Sequence, residues 1–257
     1  MTGPDGRFAY SQARLQARLG SRPAASDWQR VGASREFSTL LRICGASGFA
    51  PWTRDLDARM DVHEVERRLR ARWLAQVDEI AAWQPADWRA AFAWLRWLPY
   101  LPALEKLARA GTPPHWMRGD PVLGAIVAED PRQRAGSLTR TGFAPLAAGF
   151  AAPPNVTQAW LRHWRSLWPI RAADAGALER VVREIVALPG LWAASPPGTS
   201  SAPTLARLER RLLAAFRRHP LTELATVGYL GLAALDLLRL RGRLALLALQ
   251  SPTEGVA

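Results

Sequence analysis

Apolar residues recur at intervals of three and four positions through most of the chain, and no stretch alternates strictly between apolar and polar residues. The clearest repeat lies between Asp61 and Trp83, where one face carries Val62, Val65, Leu69, Trp73, Val77 and Ile80. This spacing is typical of an amphipathic helix that buries a single stripe. Asp61 is a favourable N-cap residue, and Pro85 should end the segment. The pattern predicts an all-α protein of short antiparallel helices.

Similar repeats predict further helices on both sides of this segment. The first, from about Asp5 to Leu19, has an apolar stripe beside a basic one: Phe8, Leu15 and Leu19, and Arg7, Arg14 and Arg18. We expect a short turn at Ser26–Val31 and then a helix from Ser34 to about Cys44. Near the C-terminus another helix places an apolar stripe opposite four arginines: Leu205, Leu208, Leu212 and Phe216, and Arg207, Arg210, Arg211 and Arg218. A long apolar helix from Leu221 to about Gln250 follows.

These helices fall into two blocks that are joined by a weakly periodic segment. Residues 1–110 are predicted to form an N-terminal helical region, and residues 155–257 a C-terminal helical region. Residues 111–154 are rich in proline and glycine, so we expect an irregular connection there, with at most a short helix near Val122–Glu129.

The charge composition bears on the kind of partner. The chain has 34 Lys and Arg residues against 22 Asp and Glu residues, a formal net charge of +12, and Lys106 is its single lysine. Clustered arginines attract the phosphates of nucleic acids. An arginine-rich and lysine-poor composition is also what a GC-rich genome produces. In either case the surplus of positive charge favours an acidic partner.

The sequence carries no recognisable catalytic or metal-binding motif. A lone Cys44, interpreted as a packing residue, excludes a disulfide framework and thiolate metal cages. The four histidines lack the spacing of a zinc hydrolase, and Lys106 follows Glu105 rather than a glycine-rich turn, which excludes a P-loop. We therefore predict a protein that is not an enzyme and uses no cofactor or metal. Charged residues interrupt the most apolar stretch, Leu224–Leu249, so no membrane-spanning helix is predicted.

The 12 tryptophans are unusual for a chain of this length. On the segment from Trp88 to Trp97, helical geometry points Trp94 and Trp97 away from the stripe formed by Trp88, Phe92 and Leu95. One interpretation is that all these rings fill cores. The other, which we favour for the surplus, is that exposed Trp and Arg side chains form a protein–protein hot spot.

Three segments resemble one protein family. They are Phe8-Ala9-Tyr10-Ser11-Gln12-Ala13-Arg14-Leu15, the run Arg35 to Leu41, and the stretch from His219-Pro220-Leu221 through Tyr229 to Arg241. They resemble the first helix, the next helix and the C-terminal helix of the C subunits of V-type (archaeal A-type) ATPases, a family whose eukaryotic members are called d subunits. The likeness covers roughly the first 110 and the last 55 positions, and the chain would be a short, diverged bacterial member.

The resemblance implies a mechanical function. Members of this family form a funnel of helices that sits on the membrane ring of proteolipid (c) subunits and receives the foot of the axle, subunits D and F. They couple ATP hydrolysis or synthesis to ion transport, including proton transport, without catalysing a reaction. By this resemblance we expect a central-stalk subunit, peripheral on the cytoplasmic side of the bacterial inner membrane, with no specific nucleic acid and no small-molecule substrate.

Two basic surfaces are the candidate partner interfaces. The first comprises Arg7, Tyr10, Arg14 and Arg18, and the second comprises Arg207, Arg210, Arg211 and Arg218. For each, an ordinary solvated helix face is the open alternative. The alternative function is that of a basic helical nucleic-acid-binding protein. An enzyme would need a convergent polar pocket that the sequence does not indicate.

Overall fold

The computed structural model describes residues 6–109, 112–128, 130–150, 155–169, 175–193 and 202–250. Throughout these ranges the protein is helical and no β-strand occurs, which confirms the all-α prediction. In chain order the α-helices are α1 (Ala9–Gly20), α2 (Ala25–Ala33), α3 (Phe37–Gly45), α4 (Ala50–Thr53), α5 (Val62–Ala82), α6 (Arg89–Trp94), α7 (Leu101–Ala108), α8 (His115–Arg118), α9 (Pro131–Leu138), α10 (Val156–Ser166), α11 (Ala175–Ala193), α12 (Ala202–Arg218) and α13 (Glu223–Gln250). Segments of 3₁₀ helix also span Leu95–Tyr100 and Ala144–Phe150.

The chain divides into two compact units. The first is formed within Met1–Pro85 and Asp174–Ala257, and the second within Ala86–Ala173. The predicted boundaries after residues 110 and 154 both lie inside the range of the second unit. The first unit therefore joins α1–α5 to the three C-terminal helices, and long-range contacts between the two ends of the chain hold it together.

Helix α5 forms as its sequence pattern predicts. The Asp61 carboxylate accepts hydrogen bonds from the backbone N–H groups of His63 (2.7 Å) and Glu64 (2.9 Å) and so caps the helix. The predicted stripe is buried from its second member onward: Val65, Leu69, Trp73, Val77 and Ile80. This face packs against α13.

The long C-terminal helix α13 has 28 residues and is the centre of the first unit. It packs against α1, α3, α5, α11 and α12, and every residue from Glu223 to Ala233 is buried. Gly228 allows the closest approach, because a Cβ there would lie 2.9 Å from the Leu212 oxygen and the Phe216 nitrogen of α12. Among the described helices none has the combination of length and apolarity that crossing a membrane requires.

One local prediction is wrong, and one short helix that the sequence allowed does not form, both for reasons of capping. Ser26–Val31 lies within helix α2 rather than in a turn, because the Asp27 carboxylate accepts a bond from the Ala24 N–H at 2.9 Å and stabilises a helix start. Conversely, Val122–Glu129 forms turns as far as it is described. There the Asp120 carboxylate accepts bonds from the next backbone N–H groups, Val122 (2.9 Å) and Leu123 (3.0 Å), in an Asx turn that replaces a helix.

Tryptophans build the core of the second unit. The rings of Trp160 and Trp164 stack at 6.1 Å, Trp94 stacks on Trp160 at 6.3 Å, and the Trp164 indole N–H donates to the Ala91 carbonyl at 2.7 Å. No tryptophan whose side chain is described is exposed, so the prediction of exposed tryptophans is wrong. The reason is that several short helices surround these rings, so that side chains on different faces of one helix are all covered.

Candidate partner-binding surface and basic cavity

Helix α1 buries one side and exposes the other, as its two stripes predict. Phe8 and Leu15 are buried with Ser11 and Gln12, whereas Tyr10 is 60% exposed. The Ser11 hydroxyl donates to the Phe8 carbonyl at 2.9 Å, which satisfies that buried hydroxyl within the helix. The exposed side therefore carries the predicted partner residues.

The structure brings three of the predicted residues together on this side. The Arg14 guanidinium donates to the Tyr10 hydroxyl at 2.7 Å and lies 4.4 Å from the ring centroid of Trp83. The Arg18 guanidinium lies 4.7 Å from the same centroid and donates to the Glu79 carboxylate at 2.6 Å. We call Tyr10, Arg14, Arg18, Glu79 and Trp83 the α1 surface. Arg7, the fourth predicted residue, is exposed at the start of this helix.

These contacts order the side chains more than they stabilise the fold. A cation–π contact at an exposed site contributes about 0.5–1 kcal/mol, and an exposed ion pair contributes about 0–1 kcal/mol. Their main effect is to hold two long arginine side chains in place on the Trp83 ring. A surface whose side chains are already ordered loses less conformational entropy when a partner binds.

Arg18 and Glu79 also line a cavity in the first unit. The cavity has a volume of about 260 Å³ and is open to solvent on one side. Its wall includes four arginines and two carboxylates: Arg18, Arg22, Arg54 and Arg72, and Glu79 and Asp236. Gln76 and Tyr229 add two further polar groups. The charged groups of its wall are thus predominantly basic, and we call it the basic cavity.

A buried ion pair occupies one side of this cavity. The Arg22 guanidinium donates to both oxygens of Asp236, at 2.7 and 2.9 Å, and lies 3.3 Å from Glu209. Burial alone would lower the pKa of Arg22, but its bonds to Asp236 and the neighbouring carboxylate charges raise it. Burial raises the pKa of the Asp236 carboxyl, which Arg22 opposes. Burial also raises the pKa of Tyr229 to about 12, so its phenol stays protonated.

The Arg54 and Arg72 side chains belong to the same cavity wall. Burial, and after it the charge of Arg54, lower the pKa of Arg72 despite the contact of its guanidinium with Asp55. The Arg72 Nε–H is buried and has no hydrogen-bond acceptor in the structure. Repulsion between the two arginines makes this side of the cavity attractive for an anion.

Sequence reasoning identified the α1 side chains but missed the cavity. In the sequence, Asp236 is an isolated charged residue within an apolar helical segment. Such an isolated carboxylate is a signal for a buried ion pair, because an unpaired buried charge is too costly to retain. Its partner could not be read from the sequence, since Arg22 lies 214 positions away.

The second predicted surface lies on α12. The stripe of Leu205, Leu208, Leu212 and Phe216 is buried as predicted, and the four arginines opposite it are exposed: Arg207, Arg210, Arg211 and Arg218. Arg211 contacts Glu184 of α11. Elsewhere on the same helix, the half-buried Glu209 contacts Arg22 near the end of α1.

Neither a metal-binding cluster nor a reactive thiol stands out in the part of the chain that the structure describes. No group of three His, Cys, Asp or Glu residues lies close enough to hold a metal ion among the described residues. Cys44 is fully buried, and burial raises the pKa of its thiol to about 12, which agrees with its interpretation as a packing residue.

Comparisons of this chain with protein-family models, with curated proteins and with solved structures found no match.

Proposed function

We propose that this protein is a non-catalytic central-stalk subunit of a V/A-type rotary ATPase, peripheral on the cytoplasmic side of a bacterial inner membrane. In this role it links the axle subunits D and F to the membrane proteolipid ring and couples ATP hydrolysis or synthesis to ion transport. The single observation that carries the proposal is the α1 surface. It lies in the segment with the most specific resemblance to that family, and it presents ordered arginine and tyrosine side chains outward.

The packing of the first unit supports a load-bearing role. A protein that couples two moving parts must transmit force without deforming, which requires closely packed helices. Helix α13 is enclosed over its first eleven residues, and Gly228 brings the α12 backbone to within van der Waals contact. The N-terminal helix α1 packs directly on α13, so a force applied at the α1 surface reaches the centre of the unit.

Charge reversal on α1 tests the proposed axle interface. The variant Arg14→Glu/Arg18→Glu should weaken binding to a purified D–F axle complex, measured by isothermal titration calorimetry. Its own stability should fall by no more than about 1–2 kcal/mol, because Arg14 is exposed and Arg18 is partly exposed, and their cation–π contacts and ion pairs each contribute little. The matched control is Arg140→Glu/Arg162→Glu, which changes the net charge equally at exposed positions of the second unit. Equal axle affinity of the two variants would contradict this interface.

The α12 arginines are the proposed second interface, toward the proteolipid ring. The variant Arg207→Glu/Arg210→Glu should reduce sedimentation with vesicles that contain the purified ring while leaving binding to the axle unchanged. Loss of axle binding alone would assign this surface to the other partner.

The alternative function, nucleic-acid binding, is favoured by the four exposed arginines on one side of α12. If these four residues each neutralise one phosphate of duplex DNA, the logarithm of the affinity should fall with the logarithm of the salt concentration with a slope of about −3.6. Such a slope together with the loss of binding in Arg207→Glu/Arg210→Glu would support this alternative over the stalk role. Weak DNA affinity that the same variant leaves unchanged would count against it.

A further inference from the structure

We infer that the basic cavity of the first unit, lined by Arg18, Arg22, Arg54 and Arg72, binds a small oxyanion of the phosphate class. The inference does not depend on the proposed function: the cavity shares Arg18 and Glu79 with the α1 surface, but its test changes only Arg54 and Arg72. Three properties of the cavity carry it: the distribution of its charges, its arginine donors and its size.

The charges of the cavity wall are divided unequally between its two sides. Glu79 and Asp236, the two carboxylates of the wall, are engaged by Arg18 at 2.6 Å and by Arg22 at 2.7 Å. Arg54 and Arg72 are the remaining arginines of the wall; Asp55 contacts Arg72 and offsets part of its charge, whereas Arg54 makes no ion pair with a described residue. The side of the cavity near Arg54 and Arg72 is therefore where an additional negative charge would be stabilised most.

The arginine donors on the wall suit an oxygen ligand. Hydrogen bonds between an ionised donor and an oxyanion are stronger than neutral ones. Arginine suits this role because its planar fork of N–H groups matches the spacing of phosphate oxygens.

The size of the cavity limits the ligand. Its volume of about 260 Å³ is several times the share of roughly 30 Å³ that one water molecule occupies in the liquid. A tetrahedral oxyanion with a few bridging waters fits this space, whereas drug-sized ligands occupy pockets of about 300–1,000 Å³. The polar residues Gln76 and Tyr229 on the wall offer neutral hydrogen-bonding groups to such waters.

Calorimetric titration of the full chain with inorganic phosphate, at constant ionic strength set with chloride, tests the inference. The wild-type protein should bind one phosphate per chain. Arg54→Gln and Arg72→Gln should each weaken binding by about tenfold or more, which corresponds to roughly 1.4 kcal/mol. Arg42→Gln, an exposed position on α3 outside the cavity, is the control with the same change in net charge and should bind normally.

Two outcomes would overturn the inference. One is the absence of saturable binding of phosphate to the wild-type protein at millimolar concentrations, and the other is equal binding by Arg54→Gln and Arg42→Gln. Arg54 is exposed, so Arg54→Gln should not unfold the chain. The titration of Arg54→Gln therefore still decides the question if Arg72→Gln misfolds. Titration with a nucleoside triphosphate in competition with phosphate distinguishes free phosphate from a phosphate group on a larger ligand, since only a shared site gives competition. Arg54 and Arg72 lie outside the α1 surface, so the phosphate titration of their variants can fail or succeed independently of axle binding.

Discussion

The ion pair between Arg22 and Asp236 links the two ends of the chain, and removal of one partner should destabilise the first unit strongly. The Asp236 side chain is only 2% exposed and that of Arg22 is 15% exposed, and two hydrogen bonds join them. Replacement of Arg22 by Met keeps most of the side-chain volume but leaves the carboxylate buried without its cation. The carboxylate must then stay charged at a high desolvation cost or take up a proton.

The expected loss of unfolding free energy depends on how deeply each partner of the ion pair is buried. Removal of one partner from a buried ion pair costs about 3–5 kcal/mol. We expect about 3 kcal/mol for Arg22→Met, the low end of this range, because Asp236 can relieve the cost by protonation. Asp236→Leu should cost less, about 1–3 kcal/mol, because Arg22 keeps Glu209 and some solvent. The double variant should lose less than the sum of the two single losses, with a coupling energy of about 2 kcal/mol.

Urea denaturation followed by circular dichroism and by hydrogen exchange of the α13 amides measures these losses. The exchange data assign the effect to the first unit. The control is Arg18→Met, which breaks the exposed pair with Glu79 and should cost about 1 kcal/mol or less. The reasoning is refuted if Arg22→Met loses no more stability than Arg18→Met, or if the two losses add in the double variant.

The pH dependence provides an independent test of the same pair. In Arg22→Met the pKa of Asp236 in the folded state should rise further above its value in the unfolded chain, since burial already raises it and the opposing cation is gone. A raised pKa favours the folded state below the unfolded pKa, which for Asp is about 3.9, and this advantage disappears as the pH rises through the folded pKa. The stability deficit of Arg22→Met should therefore shrink as the pH falls toward about 4.

Three further predictions concern packing. Gly228→Ala should destabilise the protein by about 1–3 kcal/mol, because the added Cβ would collide with the α12 backbone. Gly32→Ala should stabilise it by about 0.5–1 kcal/mol, because the space around this position of α2 is open. Urea denaturation measures the free energy of unfolding of both variants. By the same assay Trp164→Phe should lower the free energy of unfolding more than Trp160→Phe. The first substitution leaves the buried Ala91 carbonyl without the hydrogen bond that the Trp164 N–H donates, whereas the buried Trp160 N–H has no acceptor among the described residues. Cys44 should resist a thiol reagent at pH 8 in the native protein and react fully in urea, because burial raises its pKa to about 12.

Features that depend on local spacing were predictable from the sequence. The α5 stripe and its Asp61 cap, and the α12 stripe opposite its arginines, follow directly from residues three and four positions apart. The length of α13 was also predictable, because neither a proline nor a cluster of glycines interrupts the apolar run before Gln250.

Features that depend on distant residues were not predictable. The charge of Asp236 makes structural sense only beside Arg22, and Trp94 is covered by Trp160 of a later helix. The division into units joins the two ends of the chain, so no shift in composition along the sequence marks it. The α1 residues were identified, but Trp83 and Glu79, which hold Arg14 and Arg18 in place, come from the end of α5 and the residue that follows it.

Recovery of the tagged protein from its native membranes, with mass spectrometry of the proteins bound to it, tests the proposed coupling role most directly. V-type ATPase axle and proteolipid subunits should be recovered with it in the proportions of the assembled complex, and they should be lost when Arg14→Glu/Arg18→Glu replaces the wild-type protein. Recovery of the protein without any part of a rotary ATPase would contradict the proposed coupling role.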